Sequence, residues 1–499
     1  MQGRLIRFLF VLHRWTGVIL GLVMLMWCLT GFVMMYVPYP ATSLDGRDFR
    51  REGLAAIVVP AAPAMPAEGA IPDEAAIASA RLEMLADRLV LNLSWDDGGG
   101  LFDLSTGARL DGLNEAGALG VARTYAARHA LAAEPEIVGA VERDAFIVAG
   151  YFSSGRPYWE ARLNDPEKTT LYIASNTGEV RQRTTASLRF WNWLGAIPHW
   201  LYFTELRKDA KLWSDVVIWT SLGGCFLTLL GLFVGQRQFR RRTSTGRLAS
   251  PYTGAKFWHH MLGLVFGVLV LSWTFSGFAS MQPWGWLETG PAASEAAERL
   301  SGEAPVWRDV RPALRAQLEA LRRDGAGEAA QIVLAPLDGT PYFLRINADG
   351  FKARYRSDGA AAPFDSAGWA RAGELLGGPA GPASVELLQR EDAYYYKGSA
   401  AGRLPAVRAI APDEDATRYY LDPVSAQVVA IADPGARGFR WWHLAPHRLD
   451  FAGWLRARPV WDIVMWTLLL GVTGVCAMGV WLGLRKLARG GRLEGRPEE

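Results

Sequence analysis

Four long apolar runs punctuate the chain, at roughly Phe8–Tyr36, Trp213–Gly235, Trp258–Met281 and Trp461–Leu484. Each reaches the length of about 20 residues that a helix needs to cross a bilayer. The first run is too long for a signal peptide, and "MMYVPYPATS" after it offers no small-residue cleavage site, so it reads as a retained helix. The segments after the first and third runs mix polar and apolar residues as globular domains do. "EAAIASARLEMLADRL" has helical spacing. "RPYWEARL", "TLYIASNTGEVRQR", "PYFLRINADG" and "TRYYLDPVSAQVVAI" alternate as strands do, with turns signalled at Asn-Thr-Gly, Ala-Asp-Gly and Asp-Pro. The Ala/Pro-rich Val58–Pro72 reads as a linker, and "SDGAAAPFDSAG" as a loop.

The pattern occurs twice. "LHRWTGVILGLVMLMWCLTGF" and "WHHMLGLVFGVLVLSWTFSGF" align at a shift of 246, which carries His13 to His259, Gly17 to Gly263, Gly21 to Gly267 and Trp27 to Trp273. "IPHWLYF" aligns with "APHRLDF" at a shift of 248, carrying His199 to His447, and "ELRKDAKLW" resembles "WLRARPVW". The expected fold is a membrane bundle of four transmembrane helices in two repeated halves, with two α+β domains outside it. The expected plan is N-terminus and first span 1–36, outer domain 37–190, histidine segment 191–212, second span 213–236 and loop 237–256. The second half repeats it as span 257–282, outer domain 283–435, histidine segment 436–458, fourth span 459–484 and tail 485–499.

Charge gives the plan a direction. Arg4, Arg7 and Arg14 precede the first span, "RQFRRR" follows the second and "RKLARGGR" the fourth, which puts both termini and the central loop in the cytoplasm. A net charge of +3 gives no argument for a nucleic-acid partner. The three cysteines, Cys28, Cys225 and Cys476, all lie in spans, which excludes a disulfide scaffold or a Cys-ligated metal in the outer domains. They read as small packing residues.

Six of the seven histidines cluster at membrane edges, His13, His259 and His260 on one side and His199, His443 and His447 on the other; His129 falls in an outer helix. An ionisable residue at a membrane edge costs free energy and usually has a partner inside the bundle. Two imidazoles from two helices suit the axial positions of a haem iron. The Gly17/Gly21 and Gly263/Gly267 stripes clear side chains from the histidine face, although small residues at that spacing equally serve helix contact. Arg14 and Lys256 stand where haem propionates would be paired, and equally serve as positive-side anchors. A helix from His199 to Gly235 would be about 55 Å long, too long for one crossing, so His199 belongs to a separate interfacial or re-entrant segment. The repeat favours His259 over His260, and His447 over His443, whose mate is Gly195. A zinc or copper site from His199, His443 and His447, or a proton relay, are the rival uses of these residues. The aromatic clusters "WNW", "FRWWH" and "QPWGW" read mainly as an interfacial belt.

These motifs, with "HWLYFTELRKDAKLW" and "YWEARLNDPEKTTLYIASNTGEVRQ", resemble the PepSY-associated transmembrane family over nearly the whole chain. The resemblance implies a bacterial inner-membrane protein with periplasmic PepSY domains, similar to di-haem b-type reductases of ferric siderophores. Carried over, it implies that His13 and His259 hold one haem b and His199 and His447 a second. It implies electrons passing outward to a periplasmic ferric chelate. With no G-x-G-x-x-G motif opening a βαβ unit, the donor is expected to be a quinol or a separate cytoplasmic reductase. Two other readings stay open: a non-redox protein whose PepSY domains bind peptides or restrain a protease, and an accessory subunit of iron uptake.

Overall fold

The computed structural model describes residues 2–40, 56–241, 248–290, 292–324, 329–396 and 403–488. Parts of two expected basic clusters, Arg242 and the tail from Arg489, lie outside the described residues. The chain divides into two compact units, one built of 1–39, 190–288 and 438–499 and the other of 40–189 and 289–437.

The first unit is helical. Its four long helices, Gln2–Met34, Ala210–Arg237, Gly254–Ser280 and Val460–Ala488, are long and apolar enough to cross a membrane. Here they are the first to fourth spanning helices. The first and third each pack against both the second and the fourth, closing a four-helix ring. Met24, Cys28, Leu227, Val270, Leu469 and Val472 fill its centre. In lipid such helices gain nothing from hydrophobic exclusion of water, so close backbone approach decides the packing. Gly471 shows this: a Cβ there would stand 2.3 Å from the Phe266 ring.

Between each outer segment and the next span lies a broken helical stretch. In the first half Ala186–Leu194 is followed by Ala196–His199 and Thr204–Arg207. In the second, a π-turn at Arg440–Leu444 leads into Ala445–Arg448. Leu201 (φ 53°) and its repeat-mate Leu449 (φ 56°) both adopt left-handed backbone, which ends each short histidine helix. The breaks keep both histidines off the spanning helices, as the length argument required. Trp213 Nε1–H donates to the Trp200 carbonyl (2.7 Å) and Trp461 Nε1–H to the Arg448 carbonyl (2.8 Å), tying each stretch to the span that follows it.

The second unit holds three larger sheets. Its strands, in chain order, are β1 (Ile77–Leu85), β2 (Arg88–Trp95), β3 (Gly98–Asp103), β4 (Arg109–Leu110), β5 (Glu136–Val141), β6 (Tyr158–Arg162), β7 (Thr170–Ala174) and β8 (Val180–Thr184). They continue as β9 (Ala329–Leu334), β10 (Tyr342–Asn347), β11 (Lys352–Arg356), β12 (Ser384–Leu388), β13 (Ala406–Ile410), β14 (Arg418–Leu421) and β15 (Val428–Ala432). Strands β5–β8 and β12–β15 form two four-stranded antiparallel meanders, repeat copies of each other. The remaining seven form one sheet, ordered β11-β10-β9-β1-β2-β3-β4.

That seven-stranded sheet differs from the expected plan of two separate outer domains. Strand β1 pairs antiparallel with β9, Leu82 opposite Ile332, so the two outer segments share a sheet. Helix Trp307–Arg323 covers one face through Trp307, Val310, Leu314 and Leu318, which meet Leu82, Leu91 and Phe343. The expected helix in "EAAIASARLEMLADRL" is instead hairpin β1–β2, turned at Ala86 (φ 55°) and Asp87. Ala, Leu, Glu, Met and Arg favour helix intrinsically, but pairing on both sides overrides that preference. Val58–Pro72 has no regular structure, yet it is not a free linker: Met65 and Ile71 are buried in the same core. The strand expectations at β6, β7, β8, β10, β14 and β15 match the structure, as does the left-handed turn at Gly178 (φ 72°). Its repeat-mate Ala426 adopts the same conformation (φ 61°) without being glycine.

Candidate functional site: two facing histidine pairs

His13 lies near the N-terminal end of the first spanning helix and His259 near that of the third. Their ring centres are 6.3 Å apart, with the planes inclined by 30°. His199 and His447 face each other from the two short histidine helices, ring centres 6.2 Å apart and planes at 73°. Each pair therefore takes one histidine from each half of the repeat.

In all four rings Nδ1 is engaged. His13 Nδ1 bonds to the Leu227 carbonyl (3.3 Å) and His259 Nδ1 to that of Val475 (3.2 Å), residues matched at the 248 shift. His199 Nδ1 meets Thr30 Oγ1 and His447 Nδ1 meets Ser276 Oγ, both at 2.9 Å, residues matched at the 246 shift. No hydrogen bond engages Nε2 of these four rings among the described residues. Thr30 stands 17 residues after His13, and Ser276 17 after His259. At 1.5 Å per residue the two pairs sit about 25 Å apart along the helices, close to the thickness of a bilayer's hydrocarbon core, roughly 30 Å.

Burial pushes the His199 imidazole down to about 4. Burial, with His443 and His199 nearby, holds His447 well below the ordinary value. Both shifts favour the neutral ring, the form that offers a lone pair to a metal.

The remaining histidines are placed differently. His260 has both ring nitrogens occupied, Nδ1 by Ser250 Oγ and Nε2 by the Gly235 carbonyl, each at 2.8 Å. It ties the start of the third span to the end of the second and has no free nitrogen for a ligand. His443 Nδ1–H donates to the Ser276 carbonyl (2.8 Å) and its ring lies 5.1 Å from that of His447. Its repeat-mate Gly195 has no room for a side chain, since a Cβ there would meet Val33 Cγ1 at 2.8 Å. That explains why the second half alone carries this third ring. His129 stacks on Tyr125 (4.3 Å) at the end of helix Glu115–Arg128, far along the chain from either pair. Among the described residues no group of three or more His, Cys, Asp or Glu side chains is placed to hold a bare ion.

The sequence reading missed two glycines that matter here. A Cβ at Gly231 of the second span would stand 2.7 Å from His13 Cε1, and one at Gly479 of the fourth 3.1 Å from His259 Cε1. They are matched at the 248 shift, which was the available signal. The expected stripe divides in role. Gly267 and Gly21 serve helix contact, against Leu232 (2.6 Å) and Val480 (3.3 Å), whereas a Cβ at Gly263 meets nothing within 4 Å. Arg14 lies over the Phe10 ring. Beyond the rings, Asp450 pairs with buried Arg440 (3.2 Å) and with Arg456 (2.9 Å), bracing the second histidine segment.

Residues 10–486 match the PepSY-associated TM region. The chain belongs to that family. As a member it is a membrane protein, with its four apolar helices as the spans. Both histidine pairs of this PepSY-associated protein lie inside the matched region. No curated protein matches the chain.

Proposed function

We propose that this protein is a transmembrane electron carrier of the bacterial inner membrane that holds two b haems and reduces a ferric chelate, such as an iron–siderophore complex, in the periplasm. The observation that carries the reading is the repeated ring spacing. An imidazole nitrogen binds a transition metal at about 2.0–2.1 Å, and the ring centre lies roughly 1.2 Å behind it, so two imidazoles facing each other across one metal would hold their centres about 6.4–6.6 Å apart. The 6.3 and 6.2 Å separations come within a few tenths of an ångström of that range at both pairs. The engaged Nδ1 and free Nε2 fit it too, because metal-ligating histidines usually donate the other N–H to a fixed acceptor. The residues thus suit haem: His13 and His259 would hold one, and His199 and His447 a second.

Bound there, haem supplies one-electron chemistry between ferric and ferrous iron. The chain's own part is to hold and orient. Leu227, Val475, Thr30 and Ser276 fix the ring tautomers. Gly231 and Gly479 let the first two rings approach. Reduction of the substrate serves iron release, since ferrous iron leaves a hard-oxygen chelator more readily.

The basic residues support the orientation. Arg4, Arg7, Arg237 and Arg485 lie at the end of the bundle that holds His13 and His259; by the positive-inside rule they favour a cytoplasmic location for that end, and we read residues 37–190 and 283–435 as periplasmic. The donor is then a quinol from the bilayer or a separate cytoplasmic reductase.

The test is a visible spectrum of the detergent-purified protein, oxidised and dithionite-reduced, with haem counted per chain as the pyridine haemochrome. Two b haems per chain are expected, and His13→Ala and His199→Ala should each remove one. A colourless preparation from haem-replete cells would overturn the reading. Peptide binding by the second unit would then be the reading to pursue, starting at its cleft of about 540 Å³ lined by Asn92, Arg109, Asp111 and Asn176.

A further inference from the structure

The two histidine pairs are fixed by different devices. At His13 and His259 the acceptors are backbone carbonyls, at 3.3 and 3.2 Å. At His199 and His447 hydroxyls stand at 2.9 Å, beside the Trp27 and Trp273 carbonyls, which also bond these rings. A hydroxyl has one proton and two lone pairs, so its direction depends on where the proton goes. Thr30 Oγ1–H donates to the Met26 carbonyl (2.8 Å), with Trp27 O at 3.1 Å, and Ser276 Oγ–H donates to the Trp273 carbonyl (2.9 Å). With the proton committed inside its own helix, each oxygen presents a lone pair to the ring. The ring nitrogen facing it, Nδ1, must therefore carry the hydrogen, and Nε2 must be bare. Both hydroxyl residues are buried, Thr30 at 6% exposure and Ser276 at 0%, so no solvent water competes for the bond.

Resting on the haem reading above, we propose that Thr30 and Ser276 are positioning residues. They fix the Nδ1–H tautomer of His199 and His447, and they set the reduction potential of the group held there independently of the one at His13 and His259. An accepted Nδ1–H makes the ring a stronger electron donor, which favours the oxidised metal; second-sphere hydrogen bonding is one of the protein's main controls on a haem potential. The repeat allows the two ends to be tuned apart, because a side-chain change can remove the hydroxyl acceptor but not the Leu227 or Val475 carbonyl. Ser276 is also the more heavily used of the two, since its carbonyl holds His443.

The experiment is a potentiometric titration of the full-length detergent-purified protein, followed by visible and EPR spectra, for wild type, Thr30→Val, Ser276→Ala and the conservative Thr30→Ser and Ser276→Thr. The wild-type spectrum is taken first, and absence of haem at that stage counts against the haem reading itself. With two haems bound, Thr30→Val and Ser276→Ala should each raise the potential of one wave and alter one of the two low-spin signals. The other wave should stay in place, and the conservative variants should restore both features. Loss of the second haem with the first retained, reversed by the conservative variant, equally supports the role. Unchanged waves in both non-hydroxyl variants, an equal shift of both waves, or a loss that the conservative variant fails to reverse would overturn it.

Discussion

Gly231→Ala tests the haem reading at an atom that is not a ligand. Its Cβ would stand 2.7 Å from His13 Cε1. Carbon atoms settle at about 3.5–4.0 Å, so the ring must retreat by roughly 1 Å or the second span must move away. Metal–ligand distances tolerate only about 0.2 Å, so on the haem reading the shift would strain the bond His13 makes to the iron. Displacing a supporting group around a metal costs about 10–100-fold in affinity, or roughly 1.4–2.7 kcal/mol. The backbone pushes the other way, since alanine favours a helix over glycine by about 0.8–1.0 kcal/mol. A site effect is thus separable from a folding effect. Haem per chain and the reduced spectrum are the assay, with Gly263→Ala, where a Cβ meets nothing within 4 Å, as the control. Gly231→Ala should lose or weaken one haem, Gly479→Ala should do so less because its contact is 3.1 Å, and Gly263→Ala should keep both. Full haem content and an unaltered spectrum in Gly231→Ala would refute the reasoning.

Three further outcomes are expected. Gly471→Ala puts a methyl 2.3 Å from the Phe266 ring and should destabilise the bundle by about 1–3 kcal/mol, read as a lower thermal midpoint in detergent that Phe266→Ala partly restores. In the second unit, Ala426→Gly should relieve left-handed backbone costing about 1–2 kcal/mol and raise the unfolding midpoint, whereas Gly178→Ala, 2.2 Å from Leu85 Cδ1, should lower it. Glu83 is buried, and desolvation raises its carboxyl above the usual range despite the Arg81 ion pair and the Gln331 hydrogen bond. A raised carboxyl gives stability that is complete below the unfolded value and is lost as pH rises through the folded one; Glu83→Gln should therefore flatten that loss and raise the midpoint at neutral pH, and an unchanged pH profile would count against it.

Much of the bundle was readable because lipid imposes a length and a hydropathy that few other environments demand. The two ring pairings were readable because the chain repeats itself, so His13 pointed to His259 and His199 to His447. The supporting contacts were not. The Leu227 and Val475 acceptors are backbone carbonyls, which no side chain reveals. Thr30 and Ser276 looked like ordinary polar residues in a span, and Gly231 like ordinary helix packing. In the second unit, strands rich in Tyr, Ile and Val announced themselves. The β1–β2 hairpin did not, because "ARLEML" is composed of helix formers and becomes a strand only through its neighbours on either side. The seam between β1 and β9 joins residues about 250 positions apart, a distance over which local pattern carries no information.

That seam and the histidine pairs divide the chain in the same way. Each pair draws one ring from each half, and the shared sheet is sewn together by one edge strand from each half. A polypeptide of half this length would carry half of every histidine pair and one exposed sheet edge, and two such polypeptides, pairing like with like at both seams, would complete all of them. The covalent link through the loop after residue 237 thus converts what is chemically a two-subunit assembly into a single chain. In that chain the stoichiometry of the halves is fixed at synthesis, and each half is free to diverge, as Gly195 and His443 already have.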